Sequence, residues 1–134
     1  MLVTACPGQG AQKAGFLSSW LELPGFASTL DTLAEAAGID LRTHGTTSDD
    51  ATITDTAVAQ PLLVASAIAA HAEISGDALS TDIVAGHSVG ETGAAAIAGV
   101  LTHQDAMRLV SARGTAMAAA AAAFIERVDP YCAI

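Results

Sequence analysis

The sequence is short of basic residues. Five lysines and arginines stand against 14 aspartates and glutamates, which gives a formal net charge of −9 over 134 residues. Nucleic-acid binding requires a basic face that neutralises phosphates. The basic side chains are too few and too scattered to make one: Lys13, Arg42, Arg108, Arg113 and Arg127. We therefore expect no nucleic-acid partner.

Cysteines and long apolar runs are also scarce. Cys6 and Cys132 form no CxxC motif, and no histidine cluster accompanies them, so we expect neither a disulfide framework nor a metal site. No stretch of about 18 to 20 consecutive apolar residues predicts a membrane span. The first residues lack the positive segment that precedes the apolar run of a signal peptide. These absences predict a cytoplasmic location without membrane attachment.

Apolar residues make up 51% of the chain, many of them alanines, which is enough to form the core of one domain. The patterns predict strands at residues 2–6 and 83–85, with helices after each strand, and therefore the α/β class. Gly38 is predicted to cap the end of a helix, Gly76-Asp77 to break one, and Thr102 with Asp105 to start one. Pro61 is predicted to open a buried helix, and the polar segment 42–56 is predicted to be a surface loop. Because sheets average about five or six strands, two strands indicate only the first part of a larger domain.

The segment Gly86-His87-Ser88-Val89-Gly90 joins the second strand to a helix. One interpretation is a tight turn in a chain rich in small residues. The other is a nucleophile elbow, which projects the Ser88 hydroxyl from a sharp corner and aims the N–H of Val89 at a developing oxyanion. His87 is badly placed to serve as the base for Ser88, because neighbours along a strand point to opposite faces.

Two further segments leave alternatives open. The loop "PGQGAQ" at residues 7–12 follows the first strand; it is either a plain turn or the source of a second oxyanion donor. It lacks the spacing of either common phosphate-binding loop. Arg113 shares a helical stripe with Leu109 and Met117, and it either binds a carboxylate or extends its head into solvent.

Taken together, "PGQGAQ", "QPLLVAS", "AGHSVGE" and "RLVSARGTAM" resemble the malonyl-CoA:acyl-carrier-protein transacylase family, which includes the acyltransferase domains of polyketide synthases. The resemblance covers about Met1 to Ala120 in both order and spacing. It implies an α/β-hydrolase-like large subdomain of the acyltransferase fold, of which this chain holds part. The later strands and the ferredoxin-like subdomain of that family are not expected in this sequence.

The resemblance implies a role for each matching residue. Ser88 is the acylated nucleophile, Gln9 and Val89 give the backbone N–H groups of the oxyanion hole, and Arg113 binds the malonyl carboxylate. Malonyl-CoA is the substrate, acyl carrier protein is the partner, and no cofactor is permanently bound. Val89 also fits malonyl, since domains that accept methylmalonyl tend to carry glutamine after the serine. The resemblance leaves fatty-acid and polyketide synthesis equally open.

The chain also departs from the family pattern. The family's general-base histidine belongs to a later part of the fold and is absent from this sequence. We expect residues 1–123 to form the N-terminal part of the acyltransferase domain and residues 124–134 to be a tail outside the pattern. A serine without its base is a weak nucleophile. The alternatives are therefore a truncated, non-catalytic remnant of the enzyme and another serine hydrolase built on the same elbow.

Overall fold

The α/β class is confirmed in a computed structural model that describes residues 1–75 and 80–132, with side chains up to residue 125. Both predicted strands are present, and a short 3₁₀ turn at Trp20–Glu22 precedes the first helix. The predicted helix break at residues 76–77 lies outside the described residues. The elements are β1 (Val3–Cys6), α1 (Pro24–Ala37), α2 (Leu41–Thr46), α3 (Asp50–Thr54), α4 (Thr56–Ile74), β2 (Ile83–Gly86), α5 (Gly90–Ile97) and α6 (His103–Cys132).

The two strands pair in parallel, from Val3 opposite Ile83 to Cys6 opposite Gly86. The N–H of His87 extends this ladder by donating to the carbonyl of Cys6 at 3.1 Å. Because the strands are parallel, the loop after β1 and the turn after β2 leave the sheet at the same edge. The predicted site segments "PGQGAQ" and Gly86–Gly90 therefore begin side by side.

Helix α4 is the centre of the core. It packs against α1, α5 and α6, and its buried side chains include Leu62, Val64 and Ile68. Within the described part of the chain it is the one helix long and apolar enough to cross a membrane, but half of its most apolar window is buried inside the fold. The central helix of a packed core has this same composition.

Two predicted helix ends are confirmed by their caps. Gly38 ends α1 with a φ of 68° and donates its N–H to the carbonyl of Ala34 at 2.9 Å. Thr102 starts α6, since its hydroxyl oxygen accepts the N–H of Asp105 at 3.0 Å. The division predicted at residues 123 and 124 stays a prediction, and α6 passes across it.

Two predictions about local structure are wrong. The polar segment 42–56 is largely helical, because the carboxylates of Asp40 and Asp49 accept N–H groups at the starts of α2 and α3. Pro61 is the sixth residue of α4 rather than its first. The carboxylate of Asp55 caps the N–H of Ala57 at 2.8 Å and so starts the helix earlier.

Candidate functional site

Ser88 stands at a corner between β2 and α5. Its φ is 55°, which makes it the one non-glycine residue with positive φ among residues 1–75 and 80–132. Holding an L-residue in this left-handed region costs about 1–2 kcal/mol. The side chain is exposed at the edge of the sheet. The predicted sharp turn at Ser88 is therefore present, and its backbone is strained.

The two glycines beside Ser88 are required by the packing of the backbone. A Cβ on Gly86 would collide with the backbone of Gly90 and Glu91, and a Cβ on Gly90 would lie 2.6 Å from the carbonyl oxygen of Pro7. The loop after β1 therefore presses directly on the first residue of α5. A side chain at either glycine would force the two segments apart.

Two backbone N–H groups, one at the corner and one in the loop after β1, are not used as donors within the described part of the fold. The N–H of Gly90 donates to the carbonyl of His87 at 3.0 Å, and that of Glu91 donates to Ser88 at 3.0 Å. Over the described residues, the N–H groups of Val89 and Gln9 have no acceptor in hydrogen-bond reach. The start of α5 adds the positive end of a helix dipole. This geometry suits the stabilisation of a negative charge.

The loop after β1 is tied to the segment that was predicted to be a loop. The side chain of Gln9 donates to the carbonyl of Thr54 and to the hydroxyl of Thr56, both at 3.3 Å. Gln12 donates to the carbonyl of Ile53 at 3.0 Å. The backbone of Gln9 is thus positioned by α3 and the first residue of α4, a support that the sequence pattern did not reveal.

Arg113 lies half-buried on α6, where its Nη1 donates to Oε1 of Gln60 at 2.6 Å. In the described structure no carboxylate lies within 4.0 Å of the guanidinium. The helical stripe that Arg113 shares with Leu109 and Met117 is not the buried face of α6, since Leu109 is 50% and Met117 45% exposed. The face of α6 that is packed consists of Ala106, Met107, Val110 and Gly114. Arg113 lies at the margin of that face and meets a polar partner there.

The buried partner, Gln60, was missed by the sequence reasoning. It is only 1% exposed and lies on the core helix α4. The available signal was a polar residue directly before Pro61 in an otherwise apolar run. A fully buried amide requires hydrogen-bond partners, and Arg113 is one of them.

A series of contacts connects the predicted residues. Gly8 lies against the ring of His87, beside Ser88, and Gln9 holds Thr56 at the start of α4. A Cβ on Gly114 would lie 2.9 Å from the carbonyl oxygen of Thr56, so α6 crosses the same turn closely. The start of α4 therefore joins the Gln9 loop to the Arg113 region of α6.

A cavity of about 390 Å³ lies away from the predicted site residues. It lies between β1, α4 and Trp20, and its lining includes none of Gln9, Ser88, Val89 and Arg113. Burial raises the pKa of the Cys6 thiol, which also lines this cavity, and this favours the protonated form over the thiolate. A group of three His, Cys, Asp or Glu residues able to hold a metal ion was not found in the described residues.

Comparison with known proteins gives a consistent family. The family described as "Acyl transferase domain" matches residues 3–124. The malonyl CoA-acyl carrier protein transacylase of Mycobacterium tuberculosis is 49% identical over 125 residues, which cover 91% of this chain and 41% of that protein. The chain thus spans about two fifths of the length of this curated relative.

Solved structures agree with this match. The crystal structure of MCAT from Mycobacterium tuberculosis has a TM-score of 0.85 and 48% identity, covering 92% of this chain and 42% of that one. The acyltransferase domain from the second module of the salinomycin polyketide synthase has a TM-score of 0.83 and 40% identity, covering 88% and 28%. The fold described above therefore corresponds to part of the fold of these proteins.

Proposed function

The chain belongs to the acyl transferase domain family, and on that premise we propose that it supplies the nucleophile and the carboxylate-binding arginine of a malonyl-CoA:acyl-carrier-protein transacylase. The relative named above carries that activity in its name. The observation that carries the proposal is the left-handed Ser88 between two glycines that tolerate no side chain. A plain turn would need neither the strain nor the exposure of a serine hydroxyl.

In the proposed reaction the Oγ of Ser88 attacks the thioester carbonyl of malonyl-CoA. The carbon–sulfur bond breaks, coenzyme A leaves as the thiol after taking up the serine proton, and malonyl-Ser88 remains. The phosphopantetheine thiol of acyl carrier protein then attacks this ester, its proton returns to Ser88, and malonyl carrier protein leaves. In the described part of the chain no histidine hydrogen-bonds to Ser88.

The negative charge of each tetrahedral intermediate is assigned to the amides of Gln9 and Val89. Two observations support this assignment. Both N–H groups lack another acceptor in the described structure, and the two segments that carry them leave the sheet at the same edge, where Ser88 lies. A single oxyanion donor typically contributes about a hundredfold or more to the rate.

Arg113 is proposed to bind the malonyl carboxylate. Its guanidinium is half-buried, already oriented by Gln60 and without a carboxylate partner in the described residues. A charge-assisted bond contributes about 1.5–3 kcal/mol, which favours malonyl over acetyl by roughly ten- to a hundredfold.

We propose a cytoplasmic location and no permanently bound cofactor. The chemistry above uses only side chains, backbone amides and the thioester substrate.

The test is the intact mass of the purified chain after incubation with malonyl-CoA. We expect a malonyl increment on the wild-type chain, none on Ser88→Ala, and an unchanged increment on the matched control Ser28→Ala, an exposed serine on α1. An increment that persists in Ser88→Ala contradicts the assignment of the nucleophile. No increment on the wild-type chain contradicts the expectation that Ser88 of this chain forms the malonyl ester without a further proton acceptor.

A second candidate is a chain that binds malonyl thioesters without forming the ester. The observation that favours it is the lack of a histidine bonded to Ser88 among the described residues. Equilibrium binding of malonyl-CoA without any mass increment would support this candidate over the first.

A further inference from the structure

Gln60 is held at both ends of its side-chain amide. Its Oε1 accepts the 2.6 Å hydrogen bond from Nη1 of Arg113, and its Nε2 donates to Sδ of Met117 at 3.3 Å. Since the oxygen can only accept and the nitrogen can only donate, the guanidinium fixes which way the amide faces. The amide oxygen therefore stays turned toward Arg113.

The surroundings leave Gln60 little freedom. The residue is 1% exposed, and the backbone of α6 crosses it closely, since a Cβ on Gly114 would lie 3.6 Å from Cβ of Gln60. A glutamine in such a site cannot exchange its partner for water. It acts as a rigid support for one edge of the Arg113 guanidinium.

The Gln60 amide is uncharged, so it does not neutralise the positive charge of Arg113. Elsewhere in the described structure, arginines pair with carboxylates: Arg42 with Asp31 at 2.8 Å and Arg108 with Asp105 at 3.5 Å. Arg113 has a neutral amide in that place. A neutral acceptor orients the guanidinium and leaves its positive charge uncompensated.

We propose that Gln60 is a positioning and specificity-determining residue, a neutral acceptor that holds Arg113 and reserves its charge for the carboxylate of a dicarboxylic acyl group. This inference rests on the proposed role of Arg113. It explains why an amide stands at position 60. A carboxylate there would have the same shape but would form an internal ion pair that competes with the substrate.

The experiment measures binding directly and does not require acylation. The Nε–Hε signal of Arg113 in the nitrogen-15 NMR spectrum, assigned by its loss in Arg113→Lys, is followed during titration with malonate and, separately, with malonamide, its uncharged diamide. The variants are Gln60→Glu, which keeps the shape and adds a charge, and Gln60→Met, which keeps the length and removes the acceptor. Gln104→Glu adds the same charge at an exposed position at the start of α6 and serves as the matched control.

We expect Gln60→Glu to weaken malonate binding about tenfold or more, which corresponds to the loss of one charge-assisted interaction, with little change for the uncharged malonamide. Gln60→Met should lose less, because the charge stays free while its orientation is lost. Gln104→Glu should bind as the wild type does. Far-ultraviolet circular dichroism checks that each variant is folded.

Two results would overturn the inference. Gln60→Glu that binds malonate as tightly as Gln104→Glu shows that the neutral acceptor is irrelevant. A wild-type Arg113 signal that malonate does not shift removes both this inference and the proposed role of Arg113. A chain that binds malonate at Arg113 but is never acylated at Ser88 contradicts only the proposed transferase activity, so the two failures are distinguishable.

Discussion

Ser88 is held in place by backbone, whereas Arg113 is held by a side chain from another helix. At the corner after β2, the glycines on either side of the serine face main-chain atoms, and the strand ladder continues into it through His87. At Arg113 the helix itself imposes no special conformation. Its guanidinium is oriented by an amide that lies 53 residues earlier in the chain.

The difference bears on how each part responds to mutation. A corner built from close backbone contacts tolerates almost no added atoms, and its failure is a failure of folding. A side-chain pair tolerates substitution in the fold and fails in binding. The stability of the corner and the selectivity at Arg113 are therefore expected to be separable.

The largest expected effect comes from Gly90→Ala. Its added Cβ would collide with the carbonyl oxygens of Cys6 and Pro7, which belong to the backbone and cannot rotate away. We expect a loss of about 1–3 kcal/mol or more in the free energy of unfolding, measured by urea denaturation with circular dichroism.

Gly93→Ala is the matched control in the same helix. A Cβ there meets Cβ of Ala67 at 3.7 Å, which is ordinary contact. Because alanine favours helix over glycine, we expect a gain of up to about 0.5–1 kcal/mol. Equal losses for the two variants would mean that the backbone contact at Gly90 does not constrain the corner.

Arg113→Lys tests the other side of the comparison. Lysine keeps the charge but cannot offer the planar fork that binds a carboxylate with two hydrogen bonds. We expect malonate affinity, measured by calorimetry, to fall about tenfold. The free energy of unfolding should fall by about 1 kcal/mol or less, because the lysine ammonium can still donate to Gln60.

Arg108→Lys is the control for that substitution, since Arg108 is exposed and paired with Asp105 on the same helix. It should leave malonate affinity unchanged. A large fall in stability for Arg113→Lys, with malonate affinity intact, would show that the arginine serves packing and would remove the distinction between the two regions.

The backbone-built features were predictable from the sequence because their causes are local. The Gly-x-Ser-x-Gly pattern between a strand and a helix predicted the corner at Ser88, the glycine at position 38 predicted the end of α1, and Thr102 with Asp105 predicted the start of α6. Each depends on conformations or caps set within a few residues.

The features that were missed depend on partners far along the chain. The periodicity of α6 placed Arg113 with Leu109 and Met117, but which face is buried is decided by α4 and α1. The sequence predicts a loop over 42–56 where the structure has helical turns, because Asp40 and Asp49 can serve a turn or a cap equally well until the fold selects one. The roles of Ser88, Gln9, Val89 and Arg113 stay predictions that rest on the family.

Ser88→Gly separates strain from function at the corner. Glycine adopts a φ of 55° without the cost that an L-residue bears, although it also gains freedom in the unfolded chain. We expect the free energy of unfolding of Ser88→Gly, measured in urea, to exceed that of Ser88→Ala by up to about 1 kcal/mol. A Ser88→Gly variant that is less stable than Ser88→Ala by about 0.5–1 kcal/mol, the entropic cost of glycine alone, would show that the corner is not strained in solution.

The smallest expected effect is a pH dependence of the loop that carries Gln9. Hydrogen bonds from Thr52 lower the pKa of Asp49 below its ordinary value of 3.8. A carboxyl with a lowered pKa stabilises the folded state fully above its unfolded pKa, and this stabilisation is lost as the pH falls through the folded pKa. Since α3 also supplies the Ile53 and Thr54 carbonyls that hold Gln12 and Gln9, acid should loosen the cap and then the loop.

Asp49→Asn keeps an acceptor at the start of α3 but does not titrate. Between about pH 6 and about pH 3, its melting temperature should fall less than that of the wild type, and the NMR signal of the Gln9 amide should shift less. Asp40→Asn is the equivalent cap change on α2. It should reduce the fall of the melting temperature with pH in the same way, but the NMR signal of the Gln9 amide should shift as in the wild type. If both variants changed the Gln9 shift equally, the loop would be responding to the whole helical segment, and α3 would not be its specific support.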